Sequence, residues 1–431
     1  FRTVFDMLEC FNTTTLLRET SGVDTALDAL VGDVEEHVGR FGPDGGMANN
    51  DGIRAAVDHL RQTRGSLLPH QLGTISWMIH RGQLTLQNEI SFPLKTTLDE
   101  FRFEYFPKSG MAMRNIPYKG VCGGVLADEM GMGKTLEWTY SYLMRRAQMA
   151  LSGAPWRAVV VCPCTVLSQW VIELRKWVGE DVNVLKYHGP SRTSKNLEDY
   201  DIIITSYDII ARDSKPTSAR NPVQNHKLFS YYCSACGGDL MDDGNNFDDS
   251  DDSMYDEFRD PSPPSRPPTC RSCGAPTHPL FHEFVFDEGH ILNNTSTARF
   301  KACAALFHGY LWKESPDENY GLGPVVWAVT GTPMPKNGLE DYLSYWKLFN
   351  IFPFSRGAVW KRYLDRGGLQ SGSDVIAKEA MAFVCNATNR YERINRHTGN
   401  PTIQLPSMHI STEMIDMSGG ERQAYDQITQ I

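Results

Sequence analysis

The run DEMGMGKT, which ends at Thr135, combines glycines with a lysine and a threonine in an order that suits phosphate binding. Gly131 and Gly133 allow backbone N–H groups to approach phosphate oxygens, and Lys134 adds a positive charge beside them. Thr135 would then bind Mg²⁺. The strict pattern has Gly five residues before Gly133, where this chain has Asp128. The run therefore predicts a phosphate-binding loop with one departure from the usual pattern.

A pair of carboxylates strengthens this prediction. Asp287 and Glu288 follow the apolar run EFVF and open the sequence DEGH. In nucleotide hydrolases one such carboxylate holds Mg²⁺ and another group positions the attacking water. We therefore expect Asp287 to hold the metal and Glu288 to activate water, with Lys134 as the third catalytic residue. The competing interpretation, a glycine-rich turn and an unrelated acidic pair, is disfavoured because both motifs occur in order.

Short apolar runs carry these polar residues at their C-terminal ends. The five runs are 123–127, 158–162, 201–204, 283–286 and 325–329. Ligands in open parallel sheets bind at that edge. Between two of the runs, residues 165–178 have apolar side chains at helical spacing, and Thr165 is the expected N-cap. The alternation of strand and helix predicts a doubly wound α/β domain.

Six segments resemble, in order, the motifs of one ATPase family. They are LLPHQLGTISWM, DEMGMGKT, VVVCPCTVLSQWVIELRKW, DIIITSYDII, FDEGH and TGTPMPKNGLEDYLSYWKLFNIFPF. The chain is similar to the Swi/Snf-type ATPases of helicase superfamily two, whose first lobe is a RecA-like parallel sheet. Within that family, DEGH and the LLPHQ opening look most like the branch of helicase-like transcription factor and the post-replication-repair translocases.

The resemblance also implies which residues meet the nucleotide. Gln71 would read adenine, Thr135 and Asp287 would hold Mg²⁺, and residues 330–332 would sense the γ-phosphate. The implied ATP-binding set is Gln71, Asp128, Glu129, Met130, Gly131, Met132, Gly133, Lys134 and Thr135.

Two segments depart from the family pattern. The family has Gln-Asn in motif III where this chain has Pro335-Lys336-Asn337, and Arg-Arg-Thr-Lys where it has Asn386-Ala387-Thr388-Asn389. We expect these changes to alter the coupling between ATP and DNA. The chain begins with Phe1 and ends at a segment that resembles the start of the linker to a second lobe. We therefore expect a piece of a longer protein, without the arginine fingers of that second lobe.

The charge of the chain is concentrated in one segment. The formal net charge is −10, of which residues 239–260 contribute −9. Followed by PSPPSRPP, this acidic run predicts a disordered, solvated loop. It is interpreted either as a contact for a basic, histone-like partner or as a solubilising linker. The sequence has no apolar run of about 18 residues, so we expect no membrane contact.

The ten cysteines include two CxxCG units that flank this acidic loop. Cys233, Cys236, Cys270 and Cys273 can point four thiolates at one tetrahedral Zn²⁺. His278 and His282 are nearby but are not needed to complete such a site. We therefore expect a zinc-binding insertion in lobe one, which offers a surface for a protein partner.

The resemblance implies a DNA-dependent ATPase that translocates on double-stranded DNA in the nucleus, in chromatin remodelling or DNA repair. The alternatives are a catalytically weakened chromatin-binding scaffold, or the ATPase module of a larger ubiquitin ligase or DNA methyltransferase. The expected organisation is an N-terminal extension, lobe one in two parts around the zinc insertion, and the start of a linker. Their bounds are 1–66, 67–228, 229–280, 281–415 and 416–431.

Overall fold

The fold is taken from a computed structural model of the chain. The structure describes residues 22–41, 50–82, 92–94, 103–106, 111–114, 122–151, 153–179, 182–214, 228, 231–233, 239–240, 270, 272–274, 278–308, 324–334, 339–349, 351, 355, 387–394, 399–403, 411 and 416–429. Cys236, residues 335–337, Asn386 and all but two residues of the acidic segment lie outside this part of the chain.

The described residues form helices α1 to α9 and strands β1 to β13, numbered in chain order. The helices are Gly22–Phe41, Asn50–Arg64, Pro69–Arg81, Lys134–Leu151, Leu167–Trp177, Tyr207–Asp213, Ala298–His308, Leu339–Leu348 and Gly419–Thr429. The strands are Phe92–Leu94, Phe103–Phe106, Met111–Arg114, Cys122–Leu126, Ala158–Cys162, Val184–Lys186, Ile202–Ser206, Tyr231–Tyr232, Asp239–Leu240, His278–Pro279, Glu283–Asp287, Val325–Val329 and Thr388–Asn389.

The core is a seven-stranded parallel sheet with the order β13-β4-β12-β11-β5-β7-β6. All five predicted strands belong to it, with bounds that differ by at most two residues. Their continuous apolar runs are typical of strands buried on both faces. The sequence interpretation missed β6 and β13, which are three and two residues long.

Helices cover both faces of the sheet. One buried apolar cluster joins the sheet to α1 through α5, and a second joins it to α6, α7 and α8. This arrangement confirms the doubly wound α/β fold. No helix in the described ranges is long and apolar enough to cross a membrane.

The predicted N-cap of α5 is wrong. Thr165 lies inside the 3₁₀ turn Cys164–Val166, and the N-cap is Val166, which has no side-chain capping bond. Pro163, at φ −56° and ψ 142°, leads directly from the strand into this turn. The helical hydrogen bonds therefore begin two residues after Thr165, too late for its side chain to cap them.

Two small antiparallel sheets accompany the core. One contains β1, β2 and β3, and the other has the order β10-β8-β9 beside the cysteines. Near the N-terminus, α1 packs on α2, α3 and α4 through Val23, Leu27 and Leu30. The glycine- and asparagine-rich segment 42–52 is typical of a loop, but its last three residues already belong to α2.

Candidate nucleotide-binding site

The register of the sheet brings the predicted site residues to one edge. Leu126 pairs with Val329, and Val329 pairs with Asp287. The strands β4, β11 and β12 therefore end side by side. Their ends carry the phosphate loop, the Asp287 carboxylate and Thr330, respectively. This is the carboxyl edge, where ligands of open parallel sheets bind.

The loop between β4 and α4 needs its glycines. Gly131 and Gly133 have φ values of +84° and +106°, a region that side-chain-bearing residues rarely adopt. A Cβ at Gly133 would also collide with the amide nitrogen of Gln71. Such a turn leads into the N-terminus of α4 at Lys134, where unpaired N–H groups form an anion site.

Lys134 folds back onto this loop. Its Nζ donates to the carbonyl oxygens of Asp128 and Glu129 at 2.8 and 3.1 Å. Burial lowers the pKa of Lys134, and the nearby carboxylates of Asp128, Glu137, Glu288 and Asp287 oppose that shift. The ammonium group is therefore held at the centre of an acidic site and can donate to phosphate oxygens there.

Gln71 packs underneath the same loop. Its Oε1 accepts a hydrogen bond from the Leu68 N–H at 3.0 Å, and its Nε2 donates to the Met132 carbonyl at 3.1 Å. The neighbouring His70 ring places Nε2 3.0 Å from the same carbonyl. These contacts fix the loop against α3. The contact of Gln71 with adenine stays a prediction.

Asp128 points into the protein interior. Its fully buried carboxylate accepts from Thr74 Oγ1 at 3.2 Å, from Asn389 Nδ2 at 2.9 Å and from the Tyr391 N–H at 2.8 Å. Burial raises the pKa of Asp128, and the hydrogen bonds from Tyr391 and Thr74 together with the charge of Lys134 oppose that shift. Its carboxylate therefore ties α3, the loop and β13 together, a role that the sequence did not indicate.

Two further elements hold Asp287. The indole N–H of Trp170 on α5 donates to Asp287 Oδ2 at 2.6 Å, and the Tyr207 hydroxyl on α6 donates to its carbonyl at 2.7 Å. Burial raises the pKa of Asp287 to about 6, and the Trp170 hydrogen bond opposes that shift. The oxygen ligands of Asp287 and Thr135 suit Mg²⁺, which binds through one or two protein oxygens and substrate phosphates.

Glu288 has a left-handed backbone, with φ 52° and ψ 48°, which is unusual for a residue other than glycine. His290 Nδ1 lies 3.2 Å from Glu288 Oε2 and 3.1 Å from Thr330 Oγ1. Hydrogen bonding to His290 lowers the pKa of Glu288, which keeps the carboxylate ionised. The turn therefore links the predicted water-activating residue to the start of the motif III segment.

The cysteines form a separate cluster. The sulfur atoms of Cys233, Cys270 and Cys273 lie within 4.8 Å of one another, and Cys233 and Cys273 are 3.4 Å apart. Thiolates on a tetrahedral Zn²⁺ at about 2.3 Å would be about 3.8 Å apart. Gly274, with φ +72°, donates its N–H to the Cys270 carbonyl at 2.7 Å and closes the second CxxCG turn. Three of the four predicted ligands therefore converge.

Comparison with known proteins identifies the family. The sequence pattern of the SNF2-related domain matches residues 70–431. The chain belongs to the SNF2-related family. The resemblance inferred from the motifs is thereby confirmed.

Relatives of the chain include DNA repair proteins. DNA repair protein rad5 of Aspergillus fumigatus is 25% identical over 338 residues, covering 71% of this chain and 22% of that protein. DNA repair protein RAD5 of Yarrowia lipolytica is 27% identical over 313 residues, covering 71% and 24%. Helicase-like transcription factor of Homo sapiens is 22% identical over 278 residues, covering 64% and 20%.

The chain spans between 22% and 31% of the length of the five DNA repair proteins of this name that it matches. Among solved structures, it is similar to the Sulfolobus solfataricus SWI2/SNF2 ATPase core in complex with dsDNA. That similarity has a TM-score of 0.43 and 19% identity, and it covers 76% of this chain and 44% of the other.

Proposed function

We propose that this chain is the ATP-binding first lobe of an enzyme that hydrolyses ATP to ADP and phosphate. The observation that carries the proposal is the convergence of Lys134, Asp287 and Glu288 at the carboxyl edge of one parallel sheet. Lys134 and the loop amides bind the phosphates, while Thr135 and Asp287 hold Mg²⁺. Glu288 orients or deprotonates the attacking water, and its lowered pKa keeps the carboxylate ionised so that it can accept a hydrogen bond from that water.

The proposed partner is double-stranded DNA, on which the protein translocates in chromatin remodelling or DNA repair in the nucleus. The names of the relatives support this assignment. In two-lobed ATPases, an arginine from the opposite lobe can contribute about 10³–10⁵ in rate, the range of arginine fingers. We therefore propose that lobe one occupies 67–228 and 281–415, and that residues 1–431 bind ATP but hydrolyse it negligibly alone.

We propose in addition that Cys233, Cys236, Cys270 and Cys273 bind one structural Zn²⁺. The convergence of three of these sulfurs within 4.8 Å of one another supports it. Zinc binding in small sites is worth about 10–16 kcal/mol, while closing a longer loop costs free energy only as the logarithm of its length. A long acidic spacer is therefore compatible with a tightly bound ion.

The test compares phosphate release by the full-length natural protein, with and without duplex DNA, in the wild type and in Lys134→Ala and Glu288→Gln variants. We expect DNA-stimulated turnover in the wild type, and losses on the order of 10²-fold or more in both variants. Lys176→Ala and Glu173→Gln are matched controls, since they alter an exposed ion pair in the last turn of α5. Wild-type turnover no higher than that of Glu288→Gln would instead favour a non-hydrolysing chromatin scaffold.

A further inference from the structure

The segment after β13 continues past the edge of the sheet and runs beside the phosphate loop. We call residues 389–393, which start at the last residue of β13, the strap. Its backbone carbonyls at Asn389 and Tyr391 accept hydrogen bonds from the N–H groups of Ala127 and Glu129, at 2.7 and 2.8 Å. The strap therefore pairs with the loop itself, about 260 residues away in sequence.

The arginines of the strap reach the turns that face the nucleotide. Arg390 is buried, and its Nη1 donates to the carbonyl oxygens of Ala127 and Gly331, at 2.6 and 3.1 Å. Its Nη2 pairs with the Glu392 carboxylate at 3.2 Å. Arg390 thus joins the base of the phosphate loop to the turn after β12, and its charge is compensated inside the strap.

Arg393 is placed differently. Its backbone N–H donates to Glu129 Oε2 at 2.8 Å, and its Nε and Nη2 both donate to the Met130 carbonyl, at 3.1 and 2.6 Å. A Cβ built on Gly131 would lie 3.3 Å from Arg393 Nη2. The guanidinium group therefore lies directly against the glycine turn of the phosphate loop.

The charge of Arg393 is available for a ligand. A guanidinium has five N–H donors, and two of them serve the Met130 carbonyl. The other three have no acceptor among the described residues, and none of the described carboxylates forms an ion pair with this guanidinium. The Arg393 side chain is exposed beside the phosphate loop, whose own cation, Lys134, is surrounded by carboxylates.

We propose that Arg393 is a further nucleotide-binding residue, which donates to the phosphate chain of ATP from the same chain that provides the loop. Arginine is suited to this contact because its planar donors bind phosphate with charge-assisted hydrogen bonds. Arg393 lies outside the motifs that identify the loop and the carboxylate pair. The inference rests on the proposed ATP site and adds a second cation to it.

The experiment measures the affinity of residues 1–431 for ATP and for AMP, both with Mg²⁺, by displacement of a fluorescent ATP analogue. We expect Arg393→Gln to bind ATP about tenfold or more weakly than the wild type, because a lost charge-assisted hydrogen bond is worth about that factor. Arg393→Lys keeps the charge and should stay within about threefold. Affinity for AMP should change less than affinity for ATP in the Gln variant.

The Gln variant separates phosphate binding from support of the loop. Its amide can still donate to the Met130 carbonyl, so a residue that only positions the loop would keep its ATP affinity. Arg175→Gln is the matched control, since Arg175 is exposed in the last turn of α5, towards the opposite edge of the sheet.

If Arg393→Gln binds ATP as tightly as the wild type while Lys134→Ala loses binding, this inference is overturned and the proposed ATP site stays intact. Equal losses for ATP and AMP also overturn it, because they indicate a damaged loop. A wild type that binds no ATP refutes the ATP site and this inference together.

Discussion

Glu283 provides the sharpest test of how the core is held together. Its side chain at the start of β11 is 2% exposed and accepts three indole N–H groups. Trp138 and Trp327 donate to Oε1 at 2.8 and 2.9 Å, and Trp156 donates to Oε2 at 2.9 Å. Burial raises the pKa of Glu283, while Arg145 and the three indoles oppose that shift. One carboxyl group therefore joins α4, β12 and the segment before β5.

The structure sets the size of the effect. Each buried donor that loses its acceptor costs about 1–3 kcal/mol. Glu283→Ala orphans three indole N–H groups, so we expect a loss of about 3–9 kcal/mol, comparable with the whole stability of an ordinary domain at about 5–15 kcal/mol. Glu283→Gln keeps one oxygen for Trp138 and Trp327 and orphans the donor of Trp156, so we expect about 1–3 kcal/mol.

The assay is urea unfolding followed by tryptophan fluorescence and circular dichroism, with the exposed Glu173→Ala as control. The Gln variant keeps the test informative if the Ala variant does not fold. A free energy of unfolding for Glu283→Ala within about 1 kcal/mol of the wild-type value, the lower bound for one orphaned donor, would refute this role of Glu283. A Gln variant as unstable as the Ala variant would likewise contradict it.

Two further predictions concern Glu137 and the cysteines. Both Glu137 oxygens are buried, and burial together with the nearby Asp128 raises the pKa of Glu137 well above 4.5. The folded chain therefore binds this proton more tightly than the unfolded chain, so the wild type loses stability as the pH rises above 4.5. Glutamine has no such proton to lose. Urea titrations should therefore show Glu137→Gln more stable than the wild type by an amount that grows towards neutral pH. A stability difference that is independent of pH would contradict this. Metal analysis should find one zinc per chain in the wild type and in the control Cys164→Ser. Cys273→Ser should contain less than one zinc per chain. A full zinc content in Cys273→Ser would exclude the proposed site.

The elements that could be predicted are those whose pattern lies within one continuous stretch of sequence. The long apolar runs identified five strands of the central sheet, and the glycine spacing with Lys134 identified the loop. The sequence interpretation missed β6 and β13 because a strand of two or three residues carries too few side chains to show a period. The strand β13 exists because β4 offers it backbone partners, which a reading of residues 386–389 alone does not reveal.

The polar contacts that position the site residues were not predicted from the sequence. Trp170 lies in the segment 165–178, whose apolar spacing predicted a helix, and its ring is buried as that spacing implies, but its N–H also donates to Asp287. Asn389 was interpreted as a departure from a family motif, whereas its side chain holds Asp128. Both contacts join residues more than 100 positions apart, so they depend on the folded arrangement and leave no periodic signal in the sequence.

The most direct test of the proposed ATP site is the affinity of residues 1–431 for ATP with Mg²⁺, measured by isothermal titration calorimetry. If Lys134 binds the phosphates and Glu288 acts on water, the wild type, Glu288→Gln and the control Lys176→Ala should all bind ATP. Lys134→Ala should bind it on the order of 10²-fold more weakly. Equal affinity in Lys134→Ala and the wild type, or no binding by the wild type, would contradict the assignment of this edge of the sheet as an ATP site.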